Sequence, residues 1–315
     1  MPRIIAISTN PALDRVLVAP GRRLGGVVRA VRVYESAGGK AAQAARVARA
    51  LAADVVLIAP IGGARGWRFR DLLAGAGVEG RLVHVESETR QTIAIVEDDG
   101  LLEVHEPGAG VTADEADLLV EVATRELGKA EVAIVSGSLP AGAPVDLHAR
   151  LVRAARESGA FTILDSSSPE AFALAAQEQP GLVKPNLSEA CHLEGCEAPA
   201  DGDLDAAVDI GRRLAARHGT AVWLTLGERG SLLLREGRCT ELSLAPGGPV
   251  RNAVGAGDAL VGGLAAGLAR GLPLLAAAAL GVAAAGDTVT REASAVIDPA
   301  LVERTRAAVR IREIA

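Results

Sequence analysis

Asp258 stands in the segment RNAVGAGDALVGGLAAGLARG, residues 251–271, where a glycine-rich turn runs into a stretch of small residues patterned as a helix. Gly255, Ala256 and Gly257 let the backbone come close to a ligand and aim successive N–H groups at one point, reinforced by the positive end of the following helix. A carboxylate beside such a turn can accept a proton from a hydroxyl while the N–H groups hold the charge that develops on a phosphoryl group in transfer. A first-turn Asp also complements the helix dipole without doing any chemistry, and this segment alone leaves both readings open.

Other loops carry comparable groups. Asn10-Pro11-Ala12-Leu13-Asp14 follows the first apolar run, which puts Asp14 at a sheet edge, free to accept from hydroxyls or simply to close a turn. Gly38-Gly39-Lys40 opens an alanine-rich helix and combines close backbone approach with a cation, as a ligand contact or as a helix-start turn with a solvated Lys. Ser136-Gly137-Ser138-Leu139-Pro140 ends a buried run with two hydroxyls on a glycine turn. In Lys184-Pro185-Asn186-Leu187-Ser188-Glu189, Asn186 and Glu189 are spaced for a capping box, and equally for two oxygens that hold Mg²⁺ through water. Thr225-Leu226-Gly227-Glu228-Arg229-Gly230 is a strand end with a tight turn, either a β-hairpin or a contact for nucleotide phosphate. Arg29 and Arg90 could reach a phosphate from above or stand solvated on exposed strands.

Usage sharpens this map. Lysine occurs only at Lys40, Lys129 and Lys184 and asparagine only at Asn10, Asn186 and Asn252, in a chain whose basic residues are otherwise arginine. All three asparagines and two of the lysines fall in the loops above, as expected where a compact ammonium or a capping amide is needed.

The elements that must hold these groups alternate. Apolar runs at 3–8, 55–60, 92–98, 132–137, 162–166, 182–184, 221–227 and 231–236 read as strands, and 41–53, 67–76, 113–128, 144–158, 204–218, 257–270 and 273–286 read as helices. Strands of this kind between helices predict a mostly parallel sheet covered on both faces, with its site beyond the strands' C-terminal ends. Residues 15–35 and 82–105 alternate and are charged, with turn signals at Pro20-Gly21, Gly25-Gly26 and Asp99-Gly100. They predict a small sheet apart from the main body: a lid, a dimer surface, or both.

Composition excludes several classes. At 315 residues and 49% hydrophobic the chain can bury a large core, and a net charge of −6 without a long basic run argues against nucleic acid. No charged leader or long apolar span is visible, so a soluble cytoplasmic protein without a membrane partner is expected. Cys191, Cys196 and Cys239 form no CxxC pair and the five histidines no metal-ligand spacing, so zinc and redox roles are not expected and the thiols read as buried and inert. No GxxxxGK[ST] occurs, and the GxGxxG at Gly75, Gly77 and Gly80 follows a helix and precedes a strand, the reverse of the dinucleotide-binding order.

In this order NPALD, GGK, ETR at 88–90, SGSLP, KPNLSEA, TLGERG and NAVGAGDA resemble the ribokinase-like PfkB carbohydrate kinases, above all the branch with 1-phosphofructokinase and tagatose-6-phosphate kinase. The resemblance covers essentially the whole chain and implies one ribokinase-like domain over 1–315, an α/β fold: a three-layer α/β/α sandwich with a small β-sheet lid that pairs two copies as a homodimer. It implies ATP and Mg²⁺, a sugar phosphate as substrate, Asp258 as general base and the backbone of Gly255, Ala256 and Gly257 as an anion hole. Asp14, Gly38, Gly39, Gln43 and Ser138 then match positions that contact sugar, and Arg29, Lys40 and Arg90 the phosphate already on it. Lys184, Asn186, Thr225, Gly227 and Gly230 match the nucleotide side, with Asn186 and Glu189 near the metal. The branch usually reads GGKGxN; here Ala41 and Gln43 depart from it, so a longer amide takes the asparagine's place, and Ala253 and Val28 replace a frequent Thr and Asn. A kinase for an unphosphorylated sugar or a nucleoside, and a non-catalytic sensor on the same fold, remain the alternative expectations.

Overall fold

The computed structural model describes residues 3–21, 26–97, 100–108, 110–200 and 202–314. The chain begins with β1 (Arg3–Ser8), β2 (Ala12–Val18), β3 (Arg32–Gly38), α1 (Lys40–Ala50), β4 (Asp54–Ile61), α2 (Gly63–Gly75), β5 (Glu79–His84), β6 (Arg90–Val96) and β7 (Leu101–His105). It continues through α3 (Ala113–Leu127), β8 (Ala130–Ser136), α4 (Leu147–Glu157), β9 (Phe161–Asp165), α5 (Pro169–Gln177), β10 (Leu182–Val183), α6 (Leu187–Glu194), α7 (Leu204–His218), β11 (Ala221–Thr225), β12 (Ser231–Arg235) and β13 (Arg238–Ser243). Last come α8 (Ala256–Ala269), α9 (Leu274–Thr288), α10 (Pro299–Thr305) and β14 (Arg310–Ile314).

Ten strands form the main sheet in the order β14-β13-β12-β11-β10-β9-β8-β1-β4-β5. From β11 to β5 every pairing is parallel, and β12, β13 and β14 extend the sheet antiparallel. The inner strands are apolar throughout because both faces are covered: one by α1, α2, α8, α9 and α10, the other by α3 to α7. Small residues set the spacing of the first layer. A Cβ on Gly263 of α8 would lie 2.7 Å from the Cα of Gly281 in α9, so the two helices pack almost backbone to backbone.

A second sheet of four strands, β3-β2-β6-β7, forms the lid. Its outer pairs are antiparallel, but β2 and β6 run parallel, with Asp14 opposite Thr92 and Val16 opposite Ala94. The lid's inner face packs Val16, Ala94 and Val96 with Tyr34 and with Val254 of the main body. Glu292 fastens the lid edge, accepting from the Tyr34 hydroxyl at 2.9 Å and pairing with Arg32.

Several expectations need correction. The lid reaches from Ala12 to Gly38 rather than 15–35, and residues 27–30 within it have no regular structure. Residues 82–84 belong to β5, which pairs in parallel with β4 in the main sheet, so the second lid segment starts at Arg90. As the edge strand of the large sheet, β5 is half solvated and therefore alternates in the same way as a lid strand. Gly25, Asp98 and Asp99, expected in turns and at a strand end, lie outside the described residues. The sequence pattern also missed α5, β13, α10 and β14, which are short or peripheral.

Candidate active site

Strand order locates the site. The chain leaves β1 toward β4 and β5 on one side, then returns to β8 on the other and proceeds through β9, β10 and β11. The loops after β1 and β8 therefore diverge, and a crevice opens beyond their C-terminal ends. Asn10 follows β1 and Ser138 follows β8, while Asp165 closes β9 and Lys184 follows β10. The first two loops are joined across the crevice: Asn10 Nδ2 donates to Ser138 Oγ at 2.8 Å, and Thr9 Oγ1 to the Ser138 carbonyl at 2.9 Å.

The turn before α8 faces this crevice. Gly255 caps the helix at φ 82°, a left-handed conformation costly for a residue with a Cβ. The Ala256 N–H is turned inward to the Ala253 carbonyl at 3.2 Å. Among the described residues, the N–H groups of Gly255, Gly257 and Asp258 have no acceptor, so these three are the free donors of the turn.

Asp258, in the first turn of α8, is drawn into an ionic cluster. Lys40 Nζ lies 2.9 Å from Asp165 Oδ1 and 3.5 Å from Glu189 Oε1, and Lys184 Nζ lies 3.3 Å from Asp165 Oδ2. Lys184 also reaches the turn, since a Cβ on Gly257 would be 3.6 Å from its Nζ. Burial and the neighbouring Asp165 carboxylate push the Asp258 carboxyl up to about 7, against the pull of Lys40 and Lys184. Burial alone would raise Asp165 as well, but the ammonium groups of Lys184 and Lys40 hold it below the usual carboxylate range. Burial would likewise lower Lys40, yet Asp165, Glu189 and Asp258 keep it above the ordinary lysine value. Lys40, expected to meet a substrate phosphate, is thus engaged with carboxylates.

Asp165 was missed by the sequence motifs. Its signal is the single charge that ends the apolar strand FTILD at the same sheet edge as Asn10 and Ser138.

On the lid side, Asp14 accepts from Gln43 Nε2 at 2.6 Å and from the Thr92 hydroxyl. Burial raises its carboxyl, while these bonds and the guanidinium groups of Arg46 and Arg90 pull it back. Gly38 is required here, because a Cβ would sit 1.9 Å from Asp14 Cγ. Gly39 caps α1, and Lys40 is the first residue of that helix. The Gln43 amide spans the crevice: Oε1 is buried without a partner, and a Cβ on Gly255 would lie 2.2 Å from it. Arg90 makes one long bond, 3.4 Å to the Asn10 carbonyl, and its buried Nε is unpaired. Arg46, a second guanidinium near Asp14, was also missed; it lies one helical turn after Gln43. Arg29 is exposed in irregular chain and makes no hydrogen bond or ion pair with a described residue, so nothing in the chain ties it to the site.

Asn186 and Glu189 form a true capping box: Asn186 Oδ1 accepts from the Glu189 N–H at 2.8 Å and Glu189 Oε2 from the Asn186 N–H at 2.9 Å. The other Glu189 oxygen faces Lys40. Asn186 bridges to Thr225, whose N–H donates to the Pro185 carbonyl at 3.1 Å, so β10 and β11 present these two side by side. Gly227 to Gly230 close the β11–β12 hairpin, with the Leu226 N–H donating to the Gly230 carbonyl at 2.9 Å. Among the described residues, no group of three His, Cys, Asp or Glu side chains could cage a metal. A Mg²⁺ that keeps its waters and rides on phosphate oxygens needs only one or two carboxylates, a demand that the Glu189 carboxylate beside Asn186 fits.

A large concavity lies at the opposite end of the sheet, lined by Phe161, Arg212, Leu234 and Arg238, and includes none of these residues. No helix among the described residues is long and apolar enough to cross a membrane.

A model for the pfkB family carbohydrate kinases matches residues 7–300. The chain is 29% identical over 269 residues to tagatose-6-phosphate kinase of Staphylococcus epidermidis, across 84% of this chain and 85% of that one. It is 30% identical over 285 residues to 1-phosphofructokinase of Rhodobacter capsulatus, across 89% and 88%. Among solved structures, Escherichia coli phosphofructokinase-2 in complex with fructose-6-phosphate superposes with a TM-score of 0.84 at 27% identity, covering 98% of this chain and 99% of that one.

Proposed function

The chain belongs to the pfkB family of carbohydrate kinases, and from that premise we propose that it transfers the terminal phosphoryl group of ATP to a primary hydroxyl of a ketohexose monophosphate. The products are ADP and the 1,6-bisphosphate. The observation that carries the reading is Asp258, a carboxyl pushed up to about 7 beside three unpaired N–H groups at the start of α8. Asp258 takes the proton of the attacking hydroxyl, and the N–H groups of Gly255, Gly257 and Asp258 stabilise charge on the moving phosphoryl group. Lys184, against Gly257, adds a positive charge at the same point. Glu189 and Asn186 would hold Mg²⁺ through water, and the ion would supply charge neutralisation for the nucleotide phosphates.

Asp14 and Gln43 hold sugar hydroxyls, and Ser138 and Asn10 line the opposite wall. Arg90, with its free Nε, takes the phosphate already on the substrate. The lid strands carrying Asp14 and Arg90 exclude water from the transferring group.

The test is ADP release with MgATP and, in separate samples, fructose 1-phosphate, fructose 6-phosphate, tagatose 6-phosphate, free sugars and nucleosides. Turnover on a phosphorylated ketose, with KM for it raised at least about tenfold by Arg90→Glu and KM for ATP unchanged, is expected if Arg90 holds that phosphate. Turnover on a free sugar or nucleoside that ignores Arg90→Glu makes the protein a kinase of a different substrate class. ATP binding without turnover on any of them leaves a sensor.

A further inference from the structure

The end of α6 brings two thiols together. The Cys196 N–H donates to the Cys191 carbonyl at 3.0 Å, the Gly195 N–H donates to His192 at 3.2 Å, and Gly195 is left-handed at φ 63°. This is a Schellman ending, in which the side chains three residues before and two after the helix boundary touch. Both of those positions are cysteine here, and Cys196 packs against the core cluster that contains Cys191. Cys191 is buried in the core beneath α6, while Cys196 packs against that core half-exposed. Arg213 Nη2 lies 4.0 Å from Cys196 Sγ and shares its guanidinium with Glu194.

We propose that Cys191 and Cys196 are a redox-active dithiol that a peroxide closes into a disulfide. Cys196, reachable from solvent and beside a cation, is the attacking sulfur. Its thiolate displaces hydroxide from the peroxide and becomes a sulfenic acid. The Cys191 sulfur then displaces the sulfenic hydroxyl, which leaves as water with the Cys191 proton. Two thiols are oxidised and one peroxide is reduced to two waters. The bond would tie the chain after Gly195 to the end of the helix whose first turn carries Asn186 and Glu189. The spacing Cys-x₄-Cys resembles neither a redox nor a metal motif; only the reversal of the chain at Gly195 makes the pair.

The test is titration of the folded protein with hydrogen peroxide, followed by intact mass, thiol counting and peptide mapping. The expected product has lost about two hydrogens, retains the fully buried Cys239 as its single thiol and yields one peptide pair joined through Cys191 and Cys196. Thiol reductant restores the starting mass, Cys196→Ser forms no bond, and Cys191→Ala halts at a sulfenic acid that dimedone traps on Cys196. Oxidation of Cys196 to sulfinic or sulfonic acid with Cys191 still reduced overturns the proposal. So does a disulfide through Cys239, or three thiols that survive the titration.

Discussion

Asp258 has to be ionised to take a proton, yet its surroundings favour the neutral acid. Burial and the Asp165 carboxylate outweigh the two lysines and leave the group titrating at about 7, the region in which a general base combines a useful ionised fraction with real basicity. Below that pH the ionised fraction falls, so kcat/KM is expected to drop on the acid side with an apparent pKa near 7, because this ratio reports the free enzyme. A flat profile from pH 8 down to about 5.5 would show that the base lies elsewhere. Asp258→Asn should lower kcat by roughly 10² to 10⁴ with little change in the KM for sugar. Turnover within a few-fold of the parent removes Asp258 from the mechanism. Of the residues around it, those on glycine-rich motifs were visible in the sequence, because only a tight turn needs that composition. Asp165 and Arg46 were not: the charge that ends FTILD marks a strand end but not its lysine partners, one of them more than a hundred positions away, and Arg46 meets Asp14 only through a strand of another sheet.

At the scale of elements, α6 shows how one device can serve stability and chemistry together. Its capping box accounts for Asn186 and Glu189 without any ligand, while the second Glu189 oxygen remains turned toward Lys40. Asn186→Ala is expected to cost about 1 kcal/mol of unfolding free energy, and Asn186→Ser, which caps as well, close to nothing. If the Ser variant keeps its stability in urea but loses turnover, Asn186 acts on the nucleotide; if both quantities stay at parental values, capping is its whole role. Helix α4 contributes a pH-sensitive group. His148 is fully buried, with Nε2 3.1 Å from Thr9 Oγ1, and burial lowers its pKa from 6.5 to about 4. The unfolded chain binds this proton as pH falls through 6.5, the folded chain only near 4. The stability contributed is therefore complete above 6.5 and lost as pH falls toward 4, roughly 3 kcal/mol in all. Urea midpoints at about pH 5 and about pH 7.5 should separate more for the parent than for His148→Asn, and equal separations would contradict the assignment.

For the whole molecule, the lid poses the question of association. Its strands alternate, so Asp14, Val16 and Thr92 face the site while Leu17, Val33, Ile93, Ile95, Leu102 and Val104 lie on the far face, with Val33 and Val104 each 49% exposed. Arg15, paired with Glu35, and Gln91 share that face, but its exposed apolar strip is expected to be covered by the same face of a second copy, so the protein should sediment as a dimer. Leu102→Lys with Val104→Lys should give monomers that remain folded, and a parent that sediments as a monomer at micromolar concentration rejects the pairing. From its residues alone the chain determined the alternation of strand and helix, the covered parallel sheet and the glycine turns that admit a ligand, because burial periodicity and backbone conformation are local properties. Only the tertiary structure decided that β5 leaves the lid for the main sheet, that β2 and β6 run parallel, that Lys40 and Lys184 converge on Asp165 and that Cys191 meets Cys196. Each of those depends on which strand lies beside which, or on the hand of a single turn, and neither strand register nor chain reversal leaves a periodic trace in the residues that take part.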